Sequence, residues 1–436
     1  MLVAFDQKRD QLKAHFPLPV LSETIPWLKE QELGLPDVEQ GLLRVRLSLM
    51  AEAAAKLEDY LACLSQNDAF IMFAVPSVMD KQILTWLQAE PLSVLRSLLP
   101  KHLDVVGRWG IQLQGDLPEV QAELFAAAGV FTWQGGPLEE YFAAGQTRTL
   151  SDYLGKYAYI DKLAHVYSRA GIQVCREVRG LRTPTLVPPS LLVALILLEA
   201  RLVNNHGVKT VGLAYTPSGH LLQDVAALGA LAALTSEFPW EVICLPWTGG
   251  SLLGSRNSST VAAWTAITSA LGFGRRSEVA VVDRDQPLKP EQVCCLLDLA
   301  QGLMDLSTDQ RKAIVAAARW EEEQIKKEAQ AIIDRVLELG QGEVAPGLER
   351  ALAEGSLDIP LAPGGICRGQ VLSARDATGA VRFLDCGALP LAQESKEYHW
   401  QLLEERAAVE GREPGVSMAI DDIYAFSKGC LVGRTK

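Results

Sequence analysis

The sequence predicts an α/β protein, and more specifically a TIM-type (β/α) barrel. Hydrophobic residues make up 48% and charged residues 22% of the 436 residues, which is typical of a globular chain that can bury a large core. Short apolar runs alternate with longer segments of helical periodicity, as in parallel βα units. Periodicity alone does not distinguish a closed barrel from an open sheet, but several such units in direct succession favour the barrel.

The N-terminal half contains the first of these elements. Residues 38–66 repeat apolar positions at helical spacing and predict a helix. AFIMFAVP (69–76) predicts a buried strand that ends at a proline, and KQILTWLQ predicts a helix after it. DVVGRWGIQLQG has a strand pattern, and PEVQAELFAAAG (118–129) predicts a helix that starts near Pro118 and ends at Gly129.

The middle of the chain continues the alternation. Four runs predict strands that are apolar on both faces, as in a sheet covered on both sides: GIQVCREV, VKTVGLAY, WEVICLPW and SEVAVV. A helical segment follows each strand: PSLLVALILLEARLVNNHG, SGHLLQDVAALGALAAL, STVAAWTAITSALGFG and KPEQVCCLLDLAQGLM. The most apolar run, Pro188 to Ala200, is too short to span a bilayer and predicts a buried helix.

The C-terminal part has a different character. A long charged helix is predicted from Thr308 to Leu339, and Gly340 ends it. Gly-rich short strands and the helix KEYHWQLLEERAAVEGR follow. We therefore expect a barrel with an N-terminal helical lead-in over residues 1–306. The charged helix and a C-terminal α+β extension, packed on the barrel, are expected over residues 307–436.

Charge and cysteine usage exclude several classes of protein. A formal net charge of -12 argues against a general nucleic-acid binder, which needs a basic surface. The N-terminus has no apolar core of signal-peptide length, so we expect a cytoplasmic protein with no membrane partner. Eight cysteines without a CxxC pair argue against a zinc ribbon or a thioredoxin-type site and predict reduced thiols.

Two groups of residues could suggest a metal. His220 and Asp224 have i,i+4 spacing on a predicted helix, but a third ligand is not evident, and a helix start capped by Ser218 explains the pattern. Asp421 and Asp422 are adjacent and are interpreted as structural. No metal site is therefore predicted.

Several blocks in combination resemble a known family. They are REVRGLRTPTLVPPS (176–190), VKTVGLAY with GHLLQDVAAL, WTGG, LELGQGEVAPGLERALAEGSLDIP (337–360) and DDIYAFSKGCLVGR. In order and spacing, residues 150–436 resemble the large (epsilon) subunit of methylaspartate mutase, also called glutamate mutase. The first 150 residues resemble it only faintly, and the barrel is expected to be shortened in this N-terminal half.

The resemblance implies a fold, an activity and partners. The fold is a TIM barrel, and the activity is that of an isomerase that converts glutamate to 3-methylaspartate, or rearranges a related amino acid, by radical chemistry. The cofactor is adenosylcobalamin, shared with a small cobalamin-binding subunit that carries a D-x-H-x-x-G motif. This chain lacks that motif, so the resemblance implies the barrel partner. The sequence leaves the oligomeric state open, with a homodimer as one alternative.

The chain departs from the family at the substrate positions. Gln114 lies in a turn where the family has an arginine for a substrate carboxylate, and Gln134 replaces a glutamate that holds the substrate ammonium. Glu140 and Ala144 match two tyrosines, and Ser77 stands where a Pro-Arg pair is expected. We still expect Gln114 and Gln134 to line the substrate site.

The positions that face the nucleoside are altered as well. Val282 and Gln286 match a lysine and a glutamate of the family, and Ser251 replaces an aromatic residue after Gly249 and Gly250. The WTGGS loop could approach a nucleoside closely, although a tight βα turn explains it equally well. We expect Gly249, Gly250, Ser251 and Gln286 to contact the cofactor.

Two arginines are gained in the same pocket. Arg179 replaces an apolar aromatic residue of the family, and Arg182 is unexpected beside it. They follow a barrel strand, at the end where barrel sites form. They could bind a different anion as substrate-binding residues, or form ion pairs with carboxylates such as Glu177.

Three functions remain open from the sequence. The chain could be a glutamate mutase large subunit, or a divergent mutase in which Arg179 and Arg182 replace the lost carboxylate contacts. It could also be a non-catalytic barrel that binds or scaffolds a partner, because several charged pocket residues are lost. Loss of buried charged contacts costs about 2–5 kcal/mol each, so turnover of glutamate itself is weakly supported.

Overall fold

The computed structural model places strands and helices in the order that the alternation requires. The described residues are 2–33, 43–48, 70–74, 96, 110–144, 148–184, 186–235, 241–245, 258–272, 276–280, 289–304, 308–362 and 367–428. The helix predicted at KQILTWLQ (81–88) lies outside them.

Eight parallel strands form the central sheet within the described residues. Their bounds are β1 Leu43–Ser48, β2 Phe70–Ala74, β3 Gly110–Gln112, β4 Thr132–Gln134, β5 Cys175–Val178, β6 Thr210–Tyr215, β7 Glu241–Cys244 and β8 Arg276–Ala280. Each strand pairs in parallel with the next, and β8 pairs back to β1, where Arg44 is level with Glu278. The α/β class is confirmed, and the strand pairing agrees with the predicted barrel.

Helices connect the strands and continue beyond them. In the first half they are α1 Leu2–Lys13, α2 Leu21–Glu30, α3 Pro118–Ala127, α4 Pro137–Ala144 and α5 Leu150–Arg169. In the second half they are α6 Pro189–Asn205, α7 Leu221–Leu234, α8 Ser258–Leu271, α9 Pro290–Met304, α10 Thr308–Leu339 and α11 Val344–Glu354. The bounds of α10 are those predicted from its charge pattern. Gly129 and Gly207 follow α3 and α6 with positive φ, as expected for residues that end helices.

One predicted element is wrong. The helix predicted over residues 38–66 is interrupted by β1, because Leu43–Ser48 is a strand. Within this hexapeptide, LRVRLS, apolar and polar residues alternate with a period of two, which suits a strand in a sheet. The neighbouring apolar residues also match a helical spacing, and that longer pattern masked the strand. All four strands of the N-terminal half are present, so the expected shortening does not remove a strand.

The C-terminal extension is an α+β unit attached to the second half of the barrel. Strands β9 (Val371–Arg375) and β10 (Val381–Cys386) form an antiparallel pair, followed by α12 (Gln393–Glu410) and α13 (Val416–Ser427). Gln223 on α7 donates to the Val381 carbonyl (3.0 Å) and accepts from its N–H (2.8 Å). These bonds hold β10 against the barrel helices, while the division at residues 306 and 307 stays a prediction.

One described cysteine departs from the prediction of reduced thiols. Cys175, Cys244, Cys295, Cys367 and Cys386 are not disulfide-bonded. Cys294 is disulfide-bonded, so the prediction of reduced thiols throughout is wrong at this position. Among the described helices, none combines the length and hydropathy required to cross a membrane.

Candidate functional site at the ends of strands β3 to β5

Three predicted substrate segments meet at the carboxyl ends of neighbouring strands. The turn with Gln114 follows β3, Gln134 ends β4, and the loop with Arg179 follows β5. Backbone hydrogen bonds continue the sheet into these segments, since the Leu113 N–H donates to the Gln134 carbonyl (2.7 Å) and the Gly135 N–H to the Glu177 carbonyl (2.9 Å). The parallel sheet therefore brings together residues that are distant in sequence.

Gln134 is paired with a carboxylate on the next strand. It lies level with Glu177 in the β4–β5 register, and its Nε2 donates to Glu177 Oε2 at 3.2 Å. Both side chains are fully buried. A buried carboxylate therefore lies next to Gln134, which is itself neutral.

Gln114 contributes through its backbone. Its N–H donates to Gln121 Oε1 at 3.2 Å, and its carbonyl accepts from Gln121 Nε2 at 2.8 Å. Gln121 on α3 thereby fixes the turn after β3. The Gln114 side chain is half-buried.

Arg179 and Arg182 both pair with carboxylates from the start of α4. Arg179 Nη2 donates to Glu139 Oε1, and Arg182 Nη2 donates to Glu140 Oε1. Arg182 Nε also reaches Glu139 Oε1 at 3.4 Å. The two arginines thus form the ion pairs of the second alternative, but their partners are Glu139 and Glu140, while Glu177 pairs with Gln134.

Glu140 connects the turn after β3 to the loop after β5. Its Oε1 accepts from Arg182, while its Oε2 accepts the Gly115 N–H at 3.1 Å in the turn after β3. Burial raises the pKa of Glu140, against the opposing charge of Arg182. For Arg182, burial acts to lower the pKa, but the charges of Glu139 and Glu140 outweigh it and raise the pKa.

A third carboxylate fixes the helix that carries Glu139 and Glu140. Glu199 on α6 is fully buried, and its Oε1 accepts the N–H groups of Leu138 (2.8 Å) and Glu139 (3.2 Å). Its Oε2 accepts the Gly180 N–H at 2.9 Å. Burial, with a further contribution from the Glu139 charge, raises the pKa of Glu199 to about 7. Glu199 therefore ties the start of α4 to the loop that carries Arg179 and Arg182.

Some of the predicted residues cannot be placed beside these side chains. The predicted cofactor residues Gly249, Gly250, Ser251 and Gln286 lie outside the described residues, as do Ser77 and Val282. Ala144 is the last residue of α4.

The alternative metal ligands have structural roles. His220 is the N-cap of α7, and its side chain accepts the Gln223 N–H at 3.3 Å. Asp224 accepts the N–H groups of Ser218 (2.6 Å) and Gly219 (3.0 Å) and the Tyr215 hydroxyl (3.0 Å). The helix start is thus capped, but the N-cap is His220, so the prediction of Ser218 as the cap is wrong. In the part of the chain that the structure describes, no group of His, Cys, Asp or Glu could hold a metal ion.

Asp421 and Asp422 bind arginines of the extension. Asp422 Oδ2 accepts from the Arg375 N–H at 2.7 Å and from Arg406 Nη1 at 2.8 Å, and Asp421 accepts from Arg412. Both aspartates are structural, as the sequence interpretation holds.

Sequence reasoning missed Glu139 and Glu199. Glu139 and Glu140 follow Gly-Gly-Pro at a helix start, where acidic residues are favoured, and this signal could have identified them. Glu199 ends an otherwise apolar helical run, and a single carboxylate in such a run indicates a buried polar contact. Its partners on α4 could not be derived from the sequence, because Leu138 and Glu139 lie 61 and 60 residues earlier in the chain.

Comparisons with known proteins identify relatives of this chain. The model of the methylaspartate mutase E chain family matches residues 111–435. The glutamate mutase epsilon subunit of Desulfitobacterium hafniense (strain Y51) is 34% identical over 340 residues, which are 75% of this chain and 70% of that protein. The proteins of the same name from Escherichia coli O157:H7 and Halobacterium salinarum are 30% and 32% identical, each over 74% of this chain and 70% of the relative.

Solved structures add little to these relatives. The YdjI aldolase from Escherichia coli K12 aligns with 75% of this chain and 100% of its own, at 10% identity and a TM-score of 0.31. This likeness is too weak to support an inference about fold or function.

Proposed function

This chain belongs to the methylaspartate mutase E chain family, and we propose that it is the barrel subunit of an adenosylcobalamin-dependent mutase. In this proposal it rearranges the carbon skeleton of an amino acid related to glutamate. A separate small subunit binds the cobalamin, because no D-x-H-x-x-G motif occurs in this sequence. We further propose a cytoplasmic location.

A group of charged side chains at the ends of β3 to β5, which we propose as the substrate pocket, carries the proposal. It holds two guanidinium groups and the carboxylates of Glu139, Glu140 and Glu177, and all of them except Arg182 are nearly or fully buried. Buried titratable groups with raised pKa values are typical of functional sites, and Glu140 and Glu199 have such values. A position at the carboxyl ends of barrel strands is also where barrel enzymes place their sites.

Two of these buried residues have a proposed part in substrate binding. Glu177, positioned by Gln134, would hold the substrate ammonium, and Arg179 would hold a substrate oxygen. The apolar barrel helices around them exclude water from a reactive intermediate. When bound, adenosylcobalamin supplies the carbon-centred radical, and Gly249, Gly250, Ser251 and Gln286 are proposed to approach it.

A second candidate function has its own observation. Both Arg179 and Arg182 are neutralised by carboxylates of the same chain. A pocket that satisfies its own charges suits a non-catalytic barrel, which would bind or scaffold a partner without turning over a substrate.

Electron paramagnetic resonance separates the two candidates. The purified chain is mixed with a small cobalamin-binding subunit and adenosylcobalamin, and amino acids are added one at a time. A radical signal and a rearranged product with at least one of them support the mutase. No signal with any amino acid, together with formation of a stable complex, would support the scaffold.

Matched variants connect the signal to this pocket. Glu177→Gln removes the proposed ammonium contact while keeping the side-chain shape, and it should weaken substrate binding by tenfold or more. Glu349→Gln removes the same charge from an exposed position on α11 and should leave both substrate binding and the radical signal unchanged. Equal effects of the two substitutions would argue against Glu177 as a binding residue.

A further inference from the structure

We propose that Glu140 is a specificity-determining residue that excludes ligands with a second carboxylate. It does so by pairing with Arg182, the more exposed of the two guanidinium groups. This inference rests on the proposed function of the pocket as an amino-acid site. It assigns the substrate to amino acids that have a single carboxylate.

The first step is the position of Arg182. Its side chain is 30% exposed, whereas the side chains of Arg179 and Glu140 are each 5% exposed. Arg182 is therefore the guanidinium that an incoming ligand meets first. A second ligand carboxylate would make its strongest contact here, because guanidinium and carboxylate form charge-assisted hydrogen bonds.

The second step is the way in which Glu140 is held. Its Oε1 accepts from Arg182 and its Oε2 accepts the Gly115 N–H at 3.1 Å, so both oxygens have donors on opposite walls of the pocket. The helix that carries it is fixed in turn by Glu199, which accepts the N–H groups of Leu138 and Glu139. Glu140 thus occupies a pre-formed carboxylate position between the β3 turn and the β5 loop.

The third step concerns the donors that remain. Arg182 directs both Nε and Nη2 at carboxylates of α4. Arg179 uses Nη2 for Glu139, while its buried Nε has no hydrogen-bond partner among the described residues. This buried Nε suits one oxygen of a ligand carboxylate.

The fourth step is electrostatic. A ligand carboxylate placed against Arg182 would lie beside Glu139 and Glu140, and like charges in a buried site repel strongly. Displacing Glu140 would instead leave its carboxylate without the Arg182 and Gly115 contacts, and a buried carboxylate without partners is unfavourable. In both cases a dicarboxylate binds more weakly than a monocarboxylate.

Calorimetric titration of the full-length chain tests the inference without cobalamin or turnover. The probes are glutarate, a dicarboxylate, and butyrate, a monocarboxylate. In the wild type, glutarate should bind no more tightly than butyrate. In Glu140→Gln, glutarate affinity should rise at least tenfold, because Arg182 becomes available, while butyrate affinity should change less than threefold.

Three controls make the result specific. The double variant Glu140→Gln with Arg182→Gln should lose the gain, and Glu349→Gln, which removes an exposed charge, should show no gain. If Glu140→Gln does not fold, as judged by its melting transition, Glu140→Ala is titrated in its place with the same expectation.

Two results would overturn the inference: no gain in glutarate affinity in a folded Glu140 variant, or a gain that persists without Arg182. Failure of the mutase proposal is separate, since it is the absence of a radical signal. A gain in glutarate affinity without any radical would keep the binding inference and remove the catalytic one.

Discussion

The carboxylate of Glu199 occupies the space that any side chain on Gly136 would need. Gly136 is the last residue before α4 begins, and a Cβ at this position would overlap the Glu199 carboxylate. The contact lets α6 approach the start of α4 closely enough for Glu199 to accept two backbone N–H groups there. The close approach therefore sets where Glu139 and Glu140 stand.

Gly136→Ala should destabilise the chain by about 1–3 kcal/mol, because an added methyl group in a packed interior forces its neighbours to move. The matched control is Gly155→Ala, at an exposed helical position of α5 where an added Cβ would meet no atom within 4 Å. The control should instead stabilise by about 0.5–1 kcal/mol, because alanine has less chain entropy to lose on folding. Denaturant unfolding of both variants checks this, and equal effects would contradict the packing argument.

The raised pKa of Glu199 predicts a pH dependence of stability. Its pKa rises from 4.5 to about 7 on folding, so between these values the folded chain binds this proton more tightly than the unfolded chain does. Stability should therefore fall as the pH rises from about 4.5 through about 7, by about 3 kcal/mol for this group.

Comparison with Glu199→Gln isolates this contribution. Urea unfolding is measured between pH 5 and pH 8 for the wild type, Glu199→Gln and the exposed control Glu349→Gln. Relative to Glu199→Gln, the wild type should lose stability as the pH rises, and the control should follow the wild type. Parallel curves for wild type and Glu199→Gln would show that Glu199 does not titrate in this window.

Much of the fold could be predicted from the sequence because each element carries a local signal. Strands β5 to β8 are apolar runs, and the helices after them have helical periodicity, so periodicity alone locates them. Strand β1 was missed because LRVRLS is short and lies within a longer apolar pattern that also suits a helix. Closure of the sheet has no local signal, since it depends on β8 pairing with β1.

The candidate site could be predicted only in part, for a related reason. Gln134, Arg179 and Arg182 follow or end predicted strands, so their grouping at one end of the sheet follows from parallel pairing. The partners of the arginines come from a helix about 40 residues earlier, and that helix was not predicted. Which of several carboxylates pairs with a given arginine is decided by packing between distant segments, and local patterns do not contain this information.

A buried ion pair behind the pocket predicts a large effect of a single substitution. Arg176 is fully buried and donates to Asp161 Oδ1 at 2.7 Å, while its Nη1 and Nη2 donate to the carbonyls of Trp133 (2.6 Å) and Gly135 (2.9 Å). Asp161→Asn should cost about 3–5 kcal/mol, because the guanidinium would remain buried without its counter-ion.

An exposed pair of the same chemistry provides the control. Arg148 donates to Asp116 at 2.9 Å, and both side chains are more than one third exposed. Asp116→Asn should change the free energy of unfolding by no more than about 1 kcal/mol. Denaturant unfolding compares the two, and similar effects would mean that burial does not decide the strength of the Arg176 pair.

Gln223 predicts how the C-terminal extension is attached. Its amide exchanges two hydrogen bonds with the Val381 backbone and donates a third to Glu321 Oε1 at 2.9 Å. Gln223→Ala leaves the buried N–H and carbonyl of Val381 without this partner, at a cost of about 1–3 kcal/mol for each group.

Because the loss falls on β10, amide hydrogen exchange in Gln223→Ala should accelerate in β9 and β10 and stay unchanged in β5 and β6. Gln330→Ala removes an exposed hydrogen bond within α10, from the Gln330 amide to Asp334, and it should leave exchange unaltered throughout. Equal acceleration in the barrel strands and in β10 would mean that the extension and the barrel open together, and Gln223 would then stabilise one cooperative unit.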